Sequence, residues 1–263
     1  MIDRTDYLSL ACRLADLAAA HSVPNFRTSL DIDFKDDASP VTVADRAAEA
    51  AMRELLKREV PDHGILGEEY GSERLDAEHV WVLDPIDGTK SFITGSPLWG
   101  TLIALVHRGE PTLGLVDMPM LGERWTGQKG EATRRNGMAV RTRQCTQLAQ
   151  ARLLTTSPDS FSSVQWDDFE RLSKRCAMRR FGGDCYGYAQ LAGGYIDLVA
   201  ECGLQPYDYM ALVGVVEAAG GVITDWEGRA LGFGSDGRVL AAATRALHAQ
   251  ALEVLANGPR PSC

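Results

Sequence analysis

Apolar positions near the start of the chain recur every three or four residues, placing Leu8, Leu10, Ala11, Leu14 and Leu17 on one face of a helix predicted over about residues 7–26. A second amphipathic helix is predicted over about residues 43–59. The stretch between them, residues 31–40, is polar and rich in turn formers, and Lys35-Asp36-Asp37-Ala38-Ser39-Pro40 reads as an exposed loop or hairpin. After Pro61 the period changes. Short apolar runs predict strands at Ile65-Leu66, ending at Glu68, at Val80-Trp81-Val82-Leu83, ending at Asp84, and over residues 102–106 and 113–116. Acidic residues therefore fall at strand ends. From about residue 151 the pattern alternates: a strand at Leu153-Leu154, helices over 166–177 and 184–192, a strand over 196–200, and a helix over 207–219 that Gly220-Gly221 stops before Val222-Ile223-Thr224. The second half reads as α/β, and no internal repeat or low-complexity tract interrupts either half.

Composition narrows the possibilities. With 263 residues, 45% of them hydrophobic, the chain can bury a substantial core. No stretch has the length and apolarity of a membrane span. The opening Met1-Ile2-Asp3-Arg4-Thr5-Asp6 carries acids and does not resemble a secretory signal, so a cytoplasmic location is expected. The six cysteines are scattered, without a C-x-x-C pair or a histidine at zinc-ligand spacing, and are expected to be free thiols. A formal net charge of -9 with no basic run argues against a nucleic-acid backbone as partner. Any phosphate bound here must then be neutralised by something other than side-chain cations, which points to metal ions.

The most informative stretch is Trp81-Val82-Leu83-Asp84-Pro85-Ile86-Asp87-Gly88-Thr89. Its apolar run delivers Asp84, and Pro85, which has no N–H for the ladder, is expected to turn the chain away and bring Asp87 back toward Asp84. Two crowded carboxylates favour a hard cation such as Mg²⁺, to which the Ile86 carbonyl could add an oxygen. The N–H groups of Gly88 and Thr89, ahead of a possible helix, could hold an anion. Taken alone the pair reads more readily as a turn, since Asp-Gly is a common hairpin signal. Gly67-Glu68-Glu69 and Asp208 shift that balance, although Asp208, just after Pro206, also suits a helix N-cap.

Together these residues resemble the inositol monophosphatase-like, lithium-sensitive phosphatases, whose signature is similar to Gly-Glu-Glu, then Asp-Pro-Ile-Asp-Gly-Thr, then a late Trp-Asp. The chain has the first two intact and Tyr207-Asp208 in place of the third. The likeness runs over nearly the whole length, including Lys35, Ser39-Pro40-Val41, Ala44-Asp45 and Glu217-Ala218-Ala219-Gly220-Gly221. It implies a layered α-β-α-β-α sandwich of mixed α+β and α/β character. Residues 1–145 would carry most metal ligands and residues 146–263 would carry Asp208 and substrate recognition, in one compact unit. By resemblance, Glu68 and Asp84 would ligate a first Mg²⁺, and Asp84, Asp87 and Asp208 a second, with the Ile86 carbonyl completing the set. A weaker third ion would bind through Glu68. Thr89 and Asp45 would orient and deprotonate the attacking water, as in two-metal phosphoester hydrolysis. On pattern alone Asp45 is a solvated residue of an amphipathic helix. The resemblance also implies a homodimer.

Within that family, Gly182-Gly183-Asp184-Cys185-Tyr186, with Asp87 to Phe92 and Pro97-Leu98-Trp99-Gly100-Thr101, is similar to the histidinol-phosphate phosphatase branch. A cationic substrate gives an acid a purpose: Asp184 and Glu201 could pair with its ammonium or imidazolium group. Asp184 can equally cap the helix beginning at Cys185, and both roles are compatible. Tyr186, Tyr188 and Tyr207 read as core or interface residues before they read as stacking partners. The alternatives are an inositol monophosphatase of broad specificity, more distantly a nucleotide 3′-phosphate phosphatase, and, outside enzymes, a binding relative that has lost turnover.

Overall fold

In the computed structural model, which describes residues 4–29, 32–34 and 40–257, the chain opens with α1 (Arg4–Ser22), a small antiparallel ladder of β1 (Ile32–Phe34) and β2 (Pro40–Thr42), and α2 (Val43–Glu59). The loop expected around Lys35 lies outside the described residues. Helix α2 starts where Thr42 and Asp45 cap each other: the Ala44 N–H donates to Thr42 Oγ1 and the Thr42 N–H to Asp45 Oδ2 at 2.9 Å.

The next strands are β3 (Gly64–Gly67), β4 (Gly71–Glu73) and β5 (His79–Asp87), followed by the short helix α3 (Thr89–Ile93). After it come β6 (Gly100–His107), β7 (Glu110–Met118), β8 (Glu123–Gln128), β9 (Arg134–Arg135) and β10 (Met138–Ala139). They form an eight-stranded sheet in the order β10-β9-β8-β7-β6-β5-β3-β4. Its pairings among the described residues are antiparallel apart from β3 with β5. A second sheet is built from β11 (Arg152–Thr155), α4 (Ser163–Ser173), β12 (Met178–Phe181), α5 (Cys185–Ala192), β13 (Leu198–Glu201), α6 (Pro206–Ala218), β14 (Val222–Thr224), β15 (Val239–Ala242) and α7 (Arg245–Ala256). Its strand order is β12-β11-β13-β15-β14.

The layers follow from which face each strand residue buries. On β5, Val80 and Val82 join a cluster with the central helices α5 and α6, whereas Trp81 and Leu83 pack against α1 and α2. Strand β6 splits the same way, Leu102, Ala104 and Val106 against Ile103 and Leu105. Both faces are covered, so these strands read as unbroken apolar runs. The central cluster also takes in Leu154, Val199 and Ala241 of the second sheet, and a further cluster places α4 and α7 on that sheet's outer face. The result is the α-β-α-β-α sandwich implied by the sequence. One expectation needs correction. The helix expected over 166–177 is α4, which ends at Ser173, and the chain then forms β12, an edge strand with all four residues exposed. With nothing to bury, β12 has no hydrophobic period to read. The strands β4, β8, β9, β10 and β15 and helix α7 have no counterpart in the sequence-based expectations.

Candidate active site

The carboxyl ends of β3, β5, β11 and β13 and the amino ends of α5 and α6 meet in a cleft of about 230 Å³ between the two sheets. Glu68 enters it one residue beyond β3. In the parallel β3–β5 register Gly67 lies beside Leu83, and the Glu68 N–H donates to the Leu83 carbonyl at 3.2 Å, which sets Glu68 level with Asp84.

Strand β5 does not turn away at Pro85, as the sequence reading expected. It bulges and pairs again: Asp84 stands opposite Leu102 and Asp87 opposite Gly100, so a three-residue step on β5 meets a two-residue step on β6. In a regular strand residues three apart face opposite ways; the extra residue returns Asp87 to the side of Asp84. Three hydrogen bonds hold the bulge. The Ile86 N–H donates to Asp84 Oδ1 at 3.0 Å, Thr101 Oγ1 donates to the Pro85 carbonyl at 2.8 Å, and Thr89 Oγ1 donates to the Ile86 carbonyl at 3.2 Å.

Asp208 reaches the same point from the first turn of α6. It is not the N-cap: Gln205 holds that position and donates its N–H to Asp208 Oδ2 at 2.6 Å. Carboxylate oxygens of Asp84, Asp87 and Asp208 lie within 4.8 Å of one another. Glu68 lines the same cleft. Burial pushes the Asp84 carboxyl well above the ordinary range, and the negative charges of Glu68, Asp87 and Asp208 add to the effect. Burial and then Asp184 raise Asp87 to about 8, although its hydrogen bond from Cys185 opposes the change. Burial and then Asp87 raise Asp208 well above its usual value. Acids this crowded cannot all be charged at neutral pH without a cation, and a donor set made of oxygens suits a hard one. The residues therefore fit a metal.

Asp45 is buried rather than solvated. Its Oδ2 is committed to Thr42, whereas its Oδ1 is buried without a hydrogen-bond partner. Burial raises its pKa, with Glu68 contributing. Gly88 sits at the N-cap of α3 with φ +81°, a conformation glycine adopts freely, and the carboxylate of Asp184 packs within 2.9 Å of where a Cβ would stand. Gly88 and Thr89 face the cleft.

Asp184 does not cap α5 with its side chain. Asp87 does so from the other sheet, accepting the Cys185 N–H on Oδ2 at 2.7 Å. The Asp184 carboxylate instead turns to the cleft wall, where Oδ2 accepts from Ser91 Oγ at 2.8 Å, and its backbone is held at φ +47°. Burial raises its pKa, with Ser91 and Lys90 opposing. Cys185 lines the cleft with its thiol buried against Met118. Glu201, also buried, accepts from the Thr156 N–H and from Tyr188 Oη, each at 2.8 Å. Tyr188 therefore acts as a holder of Glu201. The hydroxyls of Thr155 and Thr156, buried without partners, line this wall too. Their signal in the sequence is a run of three hydroxyl residues, Thr155-Thr156-Ser157, at the end of an apolar strand.

Comparison with known proteins gives the same picture. The sequence model of the inositol monophosphatase family matches residues 3–259. The chloroplastic bifunctional phosphatase IMPL2 of Arabidopsis thaliana is 48% identical over 251 residues, spanning 92% of this chain and 72% of that protein. A histidinol-phosphatase of Mycobacterium tuberculosis is 37% identical over 261 residues, 96% of this chain and 99% of that one. The solved structure of an inositol monophosphatase from Zymomonas mobilis superposes with a TM-score of 0.90 at 47% identity, covering 97% of this chain and 100% of that chain.

Proposed function

The chain belongs to the inositol monophosphatase family, hydrolases of phosphoric monoesters, and from that premise we propose that it uses Mg²⁺ to hydrolyse L-histidinol phosphate to L-histidinol and phosphate. The observation that carries the choice of substrate is the carboxylate of Asp184. It is relieved of capping α5 by Asp87 and faces the cleft beyond the acidic cluster. An ammonium or imidazolium group pairs with such a carboxylate more strongly than a hydroxyl does in a partly desolvated pocket. The name of the Mycobacterium tuberculosis relative supports the same substrate.

Glu68, Asp84, Asp87, Asp208 and the Ile86 carbonyl would hold the metal, with two to three ions per site. Bound there, the ions would lower the pKa of water and neutralise the phosphate and the leaving oxygen. Asp45 Oδ1, the buried acceptor still available, orients the attacking water and takes its proton together with Thr89. Asp87, Gly88 and Thr89 border the phosphate, while Asp184, Cys185, Glu201 and Asp208 surround the alcohol portion. The water oxygen bonds to phosphorus, the ester P–O bond breaks, and the leaving oxygen takes up a proton.

A second reading, an inositol-phosphate phosphatase, draws on the partnerless hydroxyls of Thr155 and Thr156, which suit a substrate covered in hydroxyls, and on the likeness to the Zymomonas mobilis enzyme. Phosphate release from L-histidinol phosphate and myo-inositol 1-phosphate, measured in parallel with Mg²⁺ and with chelator, separates the two. The histidinol ester is expected to lead by about a hundredfold in kcat/KM, ~2.7 kcal/mol of transition-state discrimination. Equal or reversed preference would reassign the substrate. The variant Asp184→Asn should raise KM for the histidinol ester about tenfold and leave that for the inositol ester nearly unchanged. Asparagine tolerates a positive φ and can still accept from Ser91, so the change isolates the charge. A matching rise for both esters would make Asp184 a structural residue.

The enzyme is further proposed to be a cytoplasmic homodimer without nucleic-acid or membrane partners. A net charge of -9 speaks against a nucleic-acid backbone as partner, and among the described residues no helix is long and apolar enough to cross a membrane.

A further inference from the structure

We infer that Glu49 is a positioning residue for Glu68, through which helix α2 sets how tightly the metal is held; this rests on the role of Glu68 as a metal ligand proposed above. Glu49 is 0% exposed, a setting in which a carboxylate persists only with its lone pairs engaged. Its Oε2 accepts the Glu69 N–H at 2.7 Å, and its Oε1 accepts the Tyr70 N–H at 3.2 Å and Arg53 Nε at 2.7 Å. The carboxylate thus grips the two amides that directly follow Glu68, while the amide of Glu68 itself is tied to Leu83 beside Asp84. Glu68 is fixed on both sides.

Two further features show how closely the turn is built onto this carboxylate. A Cβ on Gly67 would lie 2.0 Å from Glu49 Oε1, so only glycine lets strand β3 approach. Arg53, one helical turn further along α2 and itself buried, balances the charge. It also donates to the Gly71 carbonyl and, at 3.0 Å, to Glu73 Oε1, holding the far side of the same turn. A turn at the surface would satisfy its amides with water, and Tyr70 is indeed 52% exposed. A buried ion pair adds little net stability. What it supplies here is position. Asp45, Glu49 and Arg53 follow one another at spacings of four along one face of α2, so the helix that carries the buried acceptor Asp45 also carries the brace for Glu68.

The test is Mg²⁺ binding by titration calorimetry on substrate-free protein, for wild type, Glu49→Gln, Glu68→Gln and the double variant. Glu49→Gln is expected to weaken Mg²⁺ binding about tenfold with its helical signal intact, the range seen when groups behind metal ligands are changed. In the Glu68→Gln background the same change should add nothing, because Glu49 acts through Glu68. Wild-type affinity in Glu49→Gln, or a full additional loss in the double variant, overturns the inference while leaving the metal site standing. A wild-type protein that binds no Mg²⁺ overturns both. If Glu49→Gln does not fold, Arg53→Lys keeps the charge but loses the forked contacts to Gly71 and Glu73; a loss of about threefold is expected, and unchanged affinity overturns the inference.

Discussion

Asp87→Asn is expected to abolish phosphate release at saturating Mg²⁺, by about a thousandfold or more in kcat, ~4 kcal/mol of transition-state stabilisation. The substitution is nearly isosteric and removes one negative charge from the cluster in which oxygens of Asp84, Asp87 and Asp208 lie within 4.8 Å. Asparagine keeps an acceptor for the Cys185 N–H, so α5 stays capped and the link between the two sheets survives. In chelator the variant should melt at the wild-type temperature or above it, because burial and neighbouring acids oppose the native charge at position 87. Activity and melting temperature together make the result readable. Loss of activity with an unchanged or raised melting temperature places the defect in the site, a lowered melting temperature places it in the fold, and retained activity sinks the metal assignment.

The acids could be read from the sequence because each follows an apolar run or opens a helix, where its place in the fold is set locally. Helix α2 was legible for the same reason: its period is regular and Thr42 with Asp45 closes its start. What the sequence does not show depends on partners distant in the chain. No pattern around Pro85 announces a bulge, since it is fixed by the register of β5 on β6 and by Thr101. Asp184 suits a cap of α5 as well as a ligand contact because it precedes the helix; the side chain that caps it, Asp87, lies 98 residues away in sequence. Glu49 carries no signal in the sequence, and its burial is visible only once β3 and the turn after it are packed against α2. Tyr188 is the core residue its sequence suggests, and its hydrogen bond to Glu201 forms only with β13 in place. The function of the cleft rests on a chemistry that was local, and its geometry on contacts that were not.

Metal-free protein is expected to lose stability as pH rises between about 6.5 and 8, and Mg²⁺ should reverse that slope. An acid whose pKa is raised by folding holds its proton in the native state after the unfolded chain has released it, so its contribution is intact below the unfolded value near 4 and is lost as pH climbs through the folded value. For Asp87 that folded value is about 8, and Asp84 and Asp208 are displaced in the same direction. Below about pH 6.5 an opposite trend intervenes. Burial lowers His63 to about 4 and also depresses His79 and His248, and these groups, binding fewer protons in the folded state, offset part of the acids' slope there. Above about pH 8 the buried thiols begin to count, since burial raises Cys176 and Cys202 to about 12. In the interval between, the cluster acts together with the other acids of the cleft that burial raises, Asp45, Asp184 and Glu201. Each proton retained by the fold costs about 1.4 kcal/mol per pH unit, so a single one lowers the unfolding free energy by about 2 kcal/mol across the window. Denaturant titrations in chelator at a series of pH values measure this, and Asp87→Asn should flatten the slope. A Mg²⁺ ion held by the cluster would displace those protons, so its affinity is expected to rise with pH as they leave. Stability that falls with pH in both conditions would mean that the cluster does not take the ion, and a flat chelator series would mean that its carboxylates are already charged in the native protein.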